Sequence, residues 1–419
     1  MLKPETKMMK SSVTKLADSR SFDSTFLVGA SSNSRYISSK TIARNEMEGE
    51  FMKGTSTMKP ALFLRKEKLK NTLLFILLLL WSVPSHATTN VGTAGAQFLK
   101  IGPGARVDSL GGAFGALAND VTSIYWNPAG ISQLEKTSFS DTHTVWLADV
   151  RYNYLAFATP IKNIGTLGAS VTFLNVPDTE ITTLAKPDGT GLWYSAYDTA
   201  VSLAYARQLY KQESGVKLSV GINAKYIHQQ IHRESARGVA IDVGTLYHTG
   251  WRSLRIGMCF SNFGPEMRFG GPDLTSGAEV AGDPRIASYR PFPDTTNPAR
   301  KAELETIEFP LPSNFRLGLA YDVIDSGDNL LTLALDANHP NDNSERLNIG
   351  MEYWYRKMAA IRGGYKFRLG EDRADDEEGL TLGLGIHLNL GRRVLSLDYA
   401  YADFGRLQQV HRVSVGLQF

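Results

Sequence analysis

From Thr137 to the last residue, apolar and polar positions alternate with a period of two, the pattern of strands that present two different faces. The clearest run places Leu380, Leu382, Leu384, Ile386, Leu388 and Leu390 on one face, and Thr381, Gly383, Gly385, His387 and Asn389 on the other. In the same way Phe315, Leu317, Leu319 and Tyr321 oppose Arg316, Gly318, Ala320 and Asp322, and Ile361, Tyr365, Phe367 and Leu369 oppose Arg362, Gly364, Lys366 and Arg368. One face thus carries large apolar side chains and the other small, polar and charged ones. A soluble sandwich buries its large side chains and turns polar ones to water, whereas a membrane barrel does the reverse. Periodicity alone does not orient the faces. The uniformity of the apolar face, together with an export signal upstream, favours the membrane arrangement.

Counting such runs gives about 14 strands, near 137–147, 151–160, 165–175, 198–210, 216–230, 237–248, 253–262, 313–323, 329–338, 345–356, 358–369, 379–390, 393–403 and 410–419. An even count suits bacterial single-chain outer-membrane barrels and lets both chain termini lie on the periplasmic side. Connection lengths test the count, because such barrels have short periplasmic turns and longer extracellular loops. Connections after even strands are short, as in PIKNIG, KQES, TGWRS, IDSGD, Arg356-Lys357 and Gly391-Arg392. Those after odd strands include Val176 to Tyr197, Asn262 to Pro312 and the acidic Gly370 to Glu378. The pattern predicts an all-β, 14-stranded antiparallel transmembrane outer-membrane β-barrel over 137–419. The chain ends HRVSVGLQF, with Val413, Val415, Leu417 and Phe419 on one face, which resembles the terminal signal read by the bacterial barrel-assembly machinery.

Upstream the pattern changes twice. Residues 1–57 are polar, Ser-rich and aperiodic, and read as disordered or as an extension outside the working protein. Residues 58–87 have the three parts of a cleavable signal peptide: a basic MKPALFLRKEKLKN, the apolar TLLFILLLLWSV, and Pro84-Ser85-His86-Ala87 as a cleavage site. The apolar run is shorter than the roughly 20 residues that span a bilayer as a helix. Residues 88–136 lie between signal and barrel and read as an N-terminal lumenal plug.

Composition adds exclusions. The 45 basic and 42 acidic residues nearly cancel, so nothing points to nucleic acid. A slightly negative mean hydropathy argues against a bundle of membrane helices but not against a barrel, whose strands alternate. With Cys259 alone, no intrachain disulfide is possible.

The stretch FLKIGPGARVDSLGGAFGALANDVTSIYWNPAGISQL, from Phe98 to Leu134, is the richest in motif. Its glycines lack the Gly-Lys-Ser/Thr and the crossover pattern of a phosphate loop, so Gly102, Gly104, Gly111 and Gly112 read as places where backbone turns sharply or approaches a wall. Asn127-Pro128 reads as a turn before the first strand. The segment resembles the N-terminal signature of the PorV/PorQ family of outer-membrane proteins, which is related to the FadL-type hydrophobic-compound transporters. The residues that carry the resemblance are Phe98 to Gly102, Gly104-Ala105-Arg106, Leu110 to Phe114, Ala118-Asn119-Asp120 and Tyr125 to Gly130, the last including Asn127, Pro128, Ala129 and Gly130. The resemblance implies a plugged 14-stranded barrel and two kinds of work. PorV-type members handle secreted protein cargo at the cell surface in type IX secretion; FadL-type members take up long-chain fatty acids or other hydrophobic compounds.

The reading at this stage is therefore protein handling at the bacterial outer membrane, with small-molecule uptake as the alternative. Expected partners are outer-membrane lipid, the barrel-assembly machinery, and either secreted cargo with secretion subunits or hydrophobic small molecules. No cofactor, metal site or catalytic residue is expected: His, Ser and Asp are scattered, and no G-x-S-x-G elbow occurs. His228 and His232, if both on one strand face, would stand about 13 Å apart, too far to share a metal. The charges Arg316, Asp336, Glu352, Arg356, Arg362, Lys366, Arg368, Asp398 and Arg412 fall on the lumen side and are expected to pair internally. The acidic run Asp372 to Glu378 reads as a solvated outer loop, and partner contacts are expected on Asn262 to Pro312, whose aromatic residues include Phe269, Tyr289, Phe292 and Phe309.

Overall fold

A computed structural model describes residues 92–276, 302–369 and 378–419. The first seven strands are β1 (Ser138–Val145), β2 (Arg151–Ile161), β3 (Gly165–Glu180), β4 (Trp193–Lys211), β5 (Val216–Ile231), β6 (Glu234–Thr249) and β7 (Arg255–Phe263). After a long connection come β8 (Asn314–Asp325), β9 (Leu330–Pro340), β10 (Arg346–Tyr355), β11 (Ala359–Arg368), β12 (Leu380–Leu390), β13 (Arg393–Asp403) and β14 (Gln409–Gln418). Every strand pairs antiparallel with its neighbours in the chain, and β14 pairs with β1 in the register Ser138↔Gln418, so the sheet closes as a 14-stranded barrel. A two-residue strand, Phe269–Gly270, adds to the upper edge of β6. Among the described residues no helix is long and apolar enough to cross a membrane, which leaves crossing by strands open.

The count and order of strands agree with the periodicity, and so does the alternation of connection lengths. One end of the barrel has short turns, such as Gly391-Arg392 between β12 and β13, and the other has the long loops. β3 and β4 continue further toward the long-loop end than periodicity indicates. They stay paired across an irregularity between Val176 and Thr179, which breaks the alternation that a sequence reading follows.

The two faces separate cleanly. Outward positions include Leu382, Leu384 and Ile386 on β12 and Val413 and Val415 on β14, all exposed, while Thr381, Ala400, Arg412 and Ser414 point inward and are buried. Some outward positions break the apolar pattern. Asp141 on β1 is exposed and sits between Val415 and Leu155, and His143, two residues on, meets Asn153 Oδ1 through its Nδ1 at 2.7 Å.

Two further expectations change. Arg356 lies at positive φ in the short turn after β10, over the Tyr355 ring, and so is not a lumen charge. His228 packs beside Tyr197 on the outward side of β5, whereas β5 ends at Ile231 and leaves His232 in the turn, so the two histidines share no strand face.

Inside the barrel, residues 93–134 fold as short helical turns: Gln97–Lys100, Ala105–Asp108, Ser123–Trp126 and Pro128–Gln133. Ala105, Val107, Leu110, Phe114, Ile124 and Ile131 are fully buried, so the hydrophobic core lies between this inner segment and the wall rather than between two sheets.

Candidate functional site

The inner segment touches the wall by backbone. Eight strands place a glycine inward where the segment passes: Gly168 faces Ile124 and Ile131, Gly221 faces Pro128 and Ala129, Gly244 faces Asn127, and Gly257 and Gly318 face Gly115 and Ala116. Gly350 faces Leu110, Gly364 faces Leu110 and Gly111, and Gly383 faces Ser109. A Cβ at any of these would overlap the segment, which is why the lumen faces of so many strands carry glycine. On the segment's own side, Gly111 has φ +65° with its Cα against the Tyr365 backbone, a conformation and a closeness that suit no other residue.

Polar side chains then fix the segment in place. Asn127 is completely buried and is more than a turn residue. Its Nδ2 donates to the carbonyls of Gly115 at 2.7 Å and Thr245 at 3.0 Å, and its Oδ1 accepts from Ala129 N, capping the helical turn Pro128–Gln133. Trp126 Nε1 donates to Pro103 O at 2.9 Å, and the ring stands under the Arg316 guanidinium, whose Nη1 donates to Trp126 O at 2.6 Å. Asp336 accepts from the amides of Phe114 and Gly115 at 3.0 and 2.7 Å.

Arg106 makes the strongest link to the wall. Its Nε and Nη2 donate to the two oxygens of Glu352, each at 2.8 Å, and Nη1 donates to Asn119 and Asp120 within the segment. Glu352 also accepts from Arg362 Nε at 2.7 Å, and Arg362 Nη1 donates to Asp398 at 2.7 Å. The bidentate geometry suits the guanidinium and would not survive replacement by lysine.

On the long-loop side of this floor lies a cavity of about 950 Å³. Phe98, Leu99, Ile101, Phe269 and Phe309 make one side apolar, with Phe269 and Phe309 paired at 5.8 Å between centroids. The opposite side is polar, and its cations are paired. Lys366 reaches Asp108 at 3.5 Å and Glu378 at 3.6 Å, Arg412 reaches Asp108 at 3.3 Å, and Arg346 reaches Glu378 at 2.5 Å. Lys100 meets Asp342 at 3.1 Å, Lys225 meets Asp242 at 2.7 Å, and Arg316 lies 3.8 Å from Asp336. Burial works to raise the Asp108 carboxyl, but Arg412 and Lys366 hold it below its ordinary range. Glu378 is likewise held low against its burial by Lys366 and Arg346.

Below the floor a second cavity of about 220 Å³ opens at the short-turn end, lined by Arg106, Asp120, Trp354, His387 and Asp398; the two cavities share no lining residue. Among the described residues no cluster of His, Cys, Asp and Glu is placed to hold a metal.

Of the residues singled out in the sequence, Gly102, Gly104, Arg106, Gly111, Gly112 and Asn127 to Gly130 all lie in the inner segment. Gly102, Gly111 and Gly112 also border the large cavity, whereas Arg106 faces the small one. Val413, Val415 and Phe419 are exposed on the outer surface of the closing strand or just past its end. Phe269 and Phe309, expected to offer partner contacts, turn inward against the inner segment. Residues 1–57 and the expected signal peptide at 58–87 lie outside the described residues, as do Tyr289, Phe292 and the acidic run from Asp372 to Glu377. Sequence reading missed the asparagines Asn314, Asn338 and Asn348 of the cavity wall. Their inward parity was available, but polar residues on a lumen face draw no notice until a cavity is seen beside them.

Among curated proteins none matches the sequence. Solved structures similar to this one include the CymD monoaromatic hydrocarbon channel and the Pseudomonas putida toluene transporter TodX. Each is 11% identical, with 76% of this chain and 97% of the other covered and a TM-score of 0.47. A Pseudomonas aeruginosa FadL homologue is 10% identical, with 76% and 98% covered and a TM-score of 0.43. A family model matches residues 84–419, barrel and inner segment together, and the chain belongs to the uncharacterised protein family UPF0164.

Proposed function

We propose that this protein is a bacterial outer-membrane barrel that binds small hydrophobic molecules at its outer end and passes them inward around a fixed plug. The observation that carries the reading is the cavity of about 950 Å³, with an apolar aromatic side and a polar side, closed below by the inner segment. Its size falls in the range of sites that enclose small molecules. The membrane setting is supported by the outer face. Exposed Leu382, Leu384, Ile386, Val413 and Val415 belong to an apolar belt far larger than a water-soluble protein leaves uncovered. The long loops then face the outside and the short turns the periplasm.

The likeness of residues 97–134 to PorV/PorQ proteins favours protein handling instead. That reading expects partner contacts on the long connection between β7 and β8, with Phe269 and Phe309 among them. Phe269 and Phe309 there pack inward on the cavity, which favours a small ligand.

The test is binding of phenylnaphthylamine, an apolar fluorophore, to the full chain reconstituted in lipid nanodiscs. A saturable rise in emission is expected, and Phe98→Asp, which puts a charge on the apolar side, should abolish it. Emission no greater than that of empty nanodiscs would remove the ligand-binding reading. Uptake of the same probe into proteoliposomes then tests passage.

A further inference from the structure

We infer that the cavity takes an uncharged amphiphile whose head carries a hydroxyl or an N–H amide on an apolar tail, in preference to an anionic or cationic amphiphile or a bare hydrocarbon. The inference rests on the ligand-binding reading above and narrows it. The first observation is the state of the charges. Among the described residues, the six cations of the cavity wall, Lys100, Lys225, Arg316, Arg346, Lys366 and Arg412, already face carboxylates, with the polar atoms between 2.5 and 3.8 Å apart. The six share five carboxylates, Asp108, Asp242, Asp336, Asp342 and Glu378, and Asp198 makes a sixth, so an anionic head meets no net positive charge there. Asp198, also on the wall, has its Oδ1 held by Gln229 Nε2 at 3.1 Å and enters no ion pair among the described residues, so it repels an anion further. A cationic head can gain Asp198 only by taking it from Gln229, and the other carboxylates already face cations.

The second observation is a row of amides. Asn314 on β8, Asn338 on β9 and Asn348 on β10 occupy neighbouring strands on the polar side of the cavity. Asn338 Oδ1 accepts from Asn314 Nδ2 at 3.3 Å and from Arg316 Nε at 3.0 Å. That leaves Asn314 Oδ1, Asn338 Nδ2 and Asn348 Oδ1, all buried, with no hydrogen-bond partner. Unsatisfied buried polar atoms are costly, and a small side-chain rotation brings them to a ligand. Two are acceptors and one is a donor. A hydroxyl group serves both kinds, a carboxylate only the donor, and a hydrocarbon neither. The apolar tail then lies against Phe98, Leu99 and Phe309 across the cavity.

The experiment displaces phenylnaphthylamine from the nanodisc-embedded full chain with three amphiphiles that share one alkyl tail: monolauroylglycerol, laurate and dodecyltrimethylammonium. Monolauroylglycerol is expected to bind at least roughly tenfold tighter than either charged probe. Asn338→Leu and Asn348→Leu should each weaken it by roughly 3- to 10-fold while leaving laurate unchanged. The two positions are on different strands, and heat-modifiable migration checks folding, so loss of one variant leaves the other to decide. Laurate or dodecyltrimethylammonium binding as tightly as monolauroylglycerol overturns the inference, as do folded asparagine variants that bind like the parent. If the fluorophore binds and no amphiphile displaces it, the head-group inference falls and the ligand-binding reading stands. If the fluorophore itself does not bind, the ligand-binding reading falls and takes the inference with it.

Discussion

Individual side chains in this barrel act according to which side of the wall they occupy. Glu352 is inside, 1% exposed, and holds both Arg106 and Arg362. Glu352→Gln would leave two buried guanidinium groups short of a counter-charge, and removing one partner of a buried pair costs about 3–5 kcal/mol. The expected result is a correspondingly lower unfolding free energy in urea titrations of the vesicle-embedded protein, together with faster proteolysis of the inner segment. Unchanged stability would mean that Arg106 finds an equal partner in Asp120. Asp141 is the opposite case. It faces outward between Val415 and Leu155, where a charge is unfavourable against hydrocarbon. Asp141→Leu is therefore expected to raise stability by about 1–2 kcal/mol in the same titration; a loss of stability would show that this face of β1 meets something other than lipid.

At the scale of elements, the inner segment and the wall are matched by omission of side chains rather than by interlocking them. Glycines on eight strands make a belt in which the segment rests, and added volume there leaves no room for both sides to stay in place. Gly364→Val, facing Leu110 and Gly111, should cost about 1–3 kcal/mol by overpacking. Because β11 is held on both sides by its neighbours, the segment is the part that yields. Planar-bilayer recordings should then show a steady ion conductance for Gly364→Val and none for the parent. A closed variant with normal stability would mean that the wall deforms and the segment stays.

At the scale of the whole molecule, the inner segment, three strands and an outer loop meet through carboxylates. Asp108 binds Arg412 of β14 and Lys366 of β11, and Glu378 of the loop after β11 binds Lys366 and Arg346. Both acids are held below their ordinary values in the folded protein. The unfolded chain thus takes up their protons first as pH falls, so the stability they contribute is complete above about pH 5 and is lost through pH 4 and below. Urea midpoints measured at pH 7 and pH 3 should differ, and Asp108→Asn should reduce that difference by lowering the value at pH 7. An equal pH dependence in the variant would assign the effect to other groups.

Much of this was readable in the chain before any coordinates. Period-two alternation and connection lengths determined fourteen strands, their order and their two faces, because each depends only on a residue's own parity and on the length of chain between neighbours. Even Gly364 and Gly383 were visible as small residues on a polar face. What they make room for was not, since Leu110 and Ser109 lie more than two hundred residues away along the chain. The tertiary structure alone decided that Arg106 grips Glu352, that Phe269 and Phe309 turn inward, and that, among the described residues, the cations of the cavity wall are already paired. Those facts depend on distances across a closed lumen, and closure is a property of all fourteen strands together that no local pattern encodes.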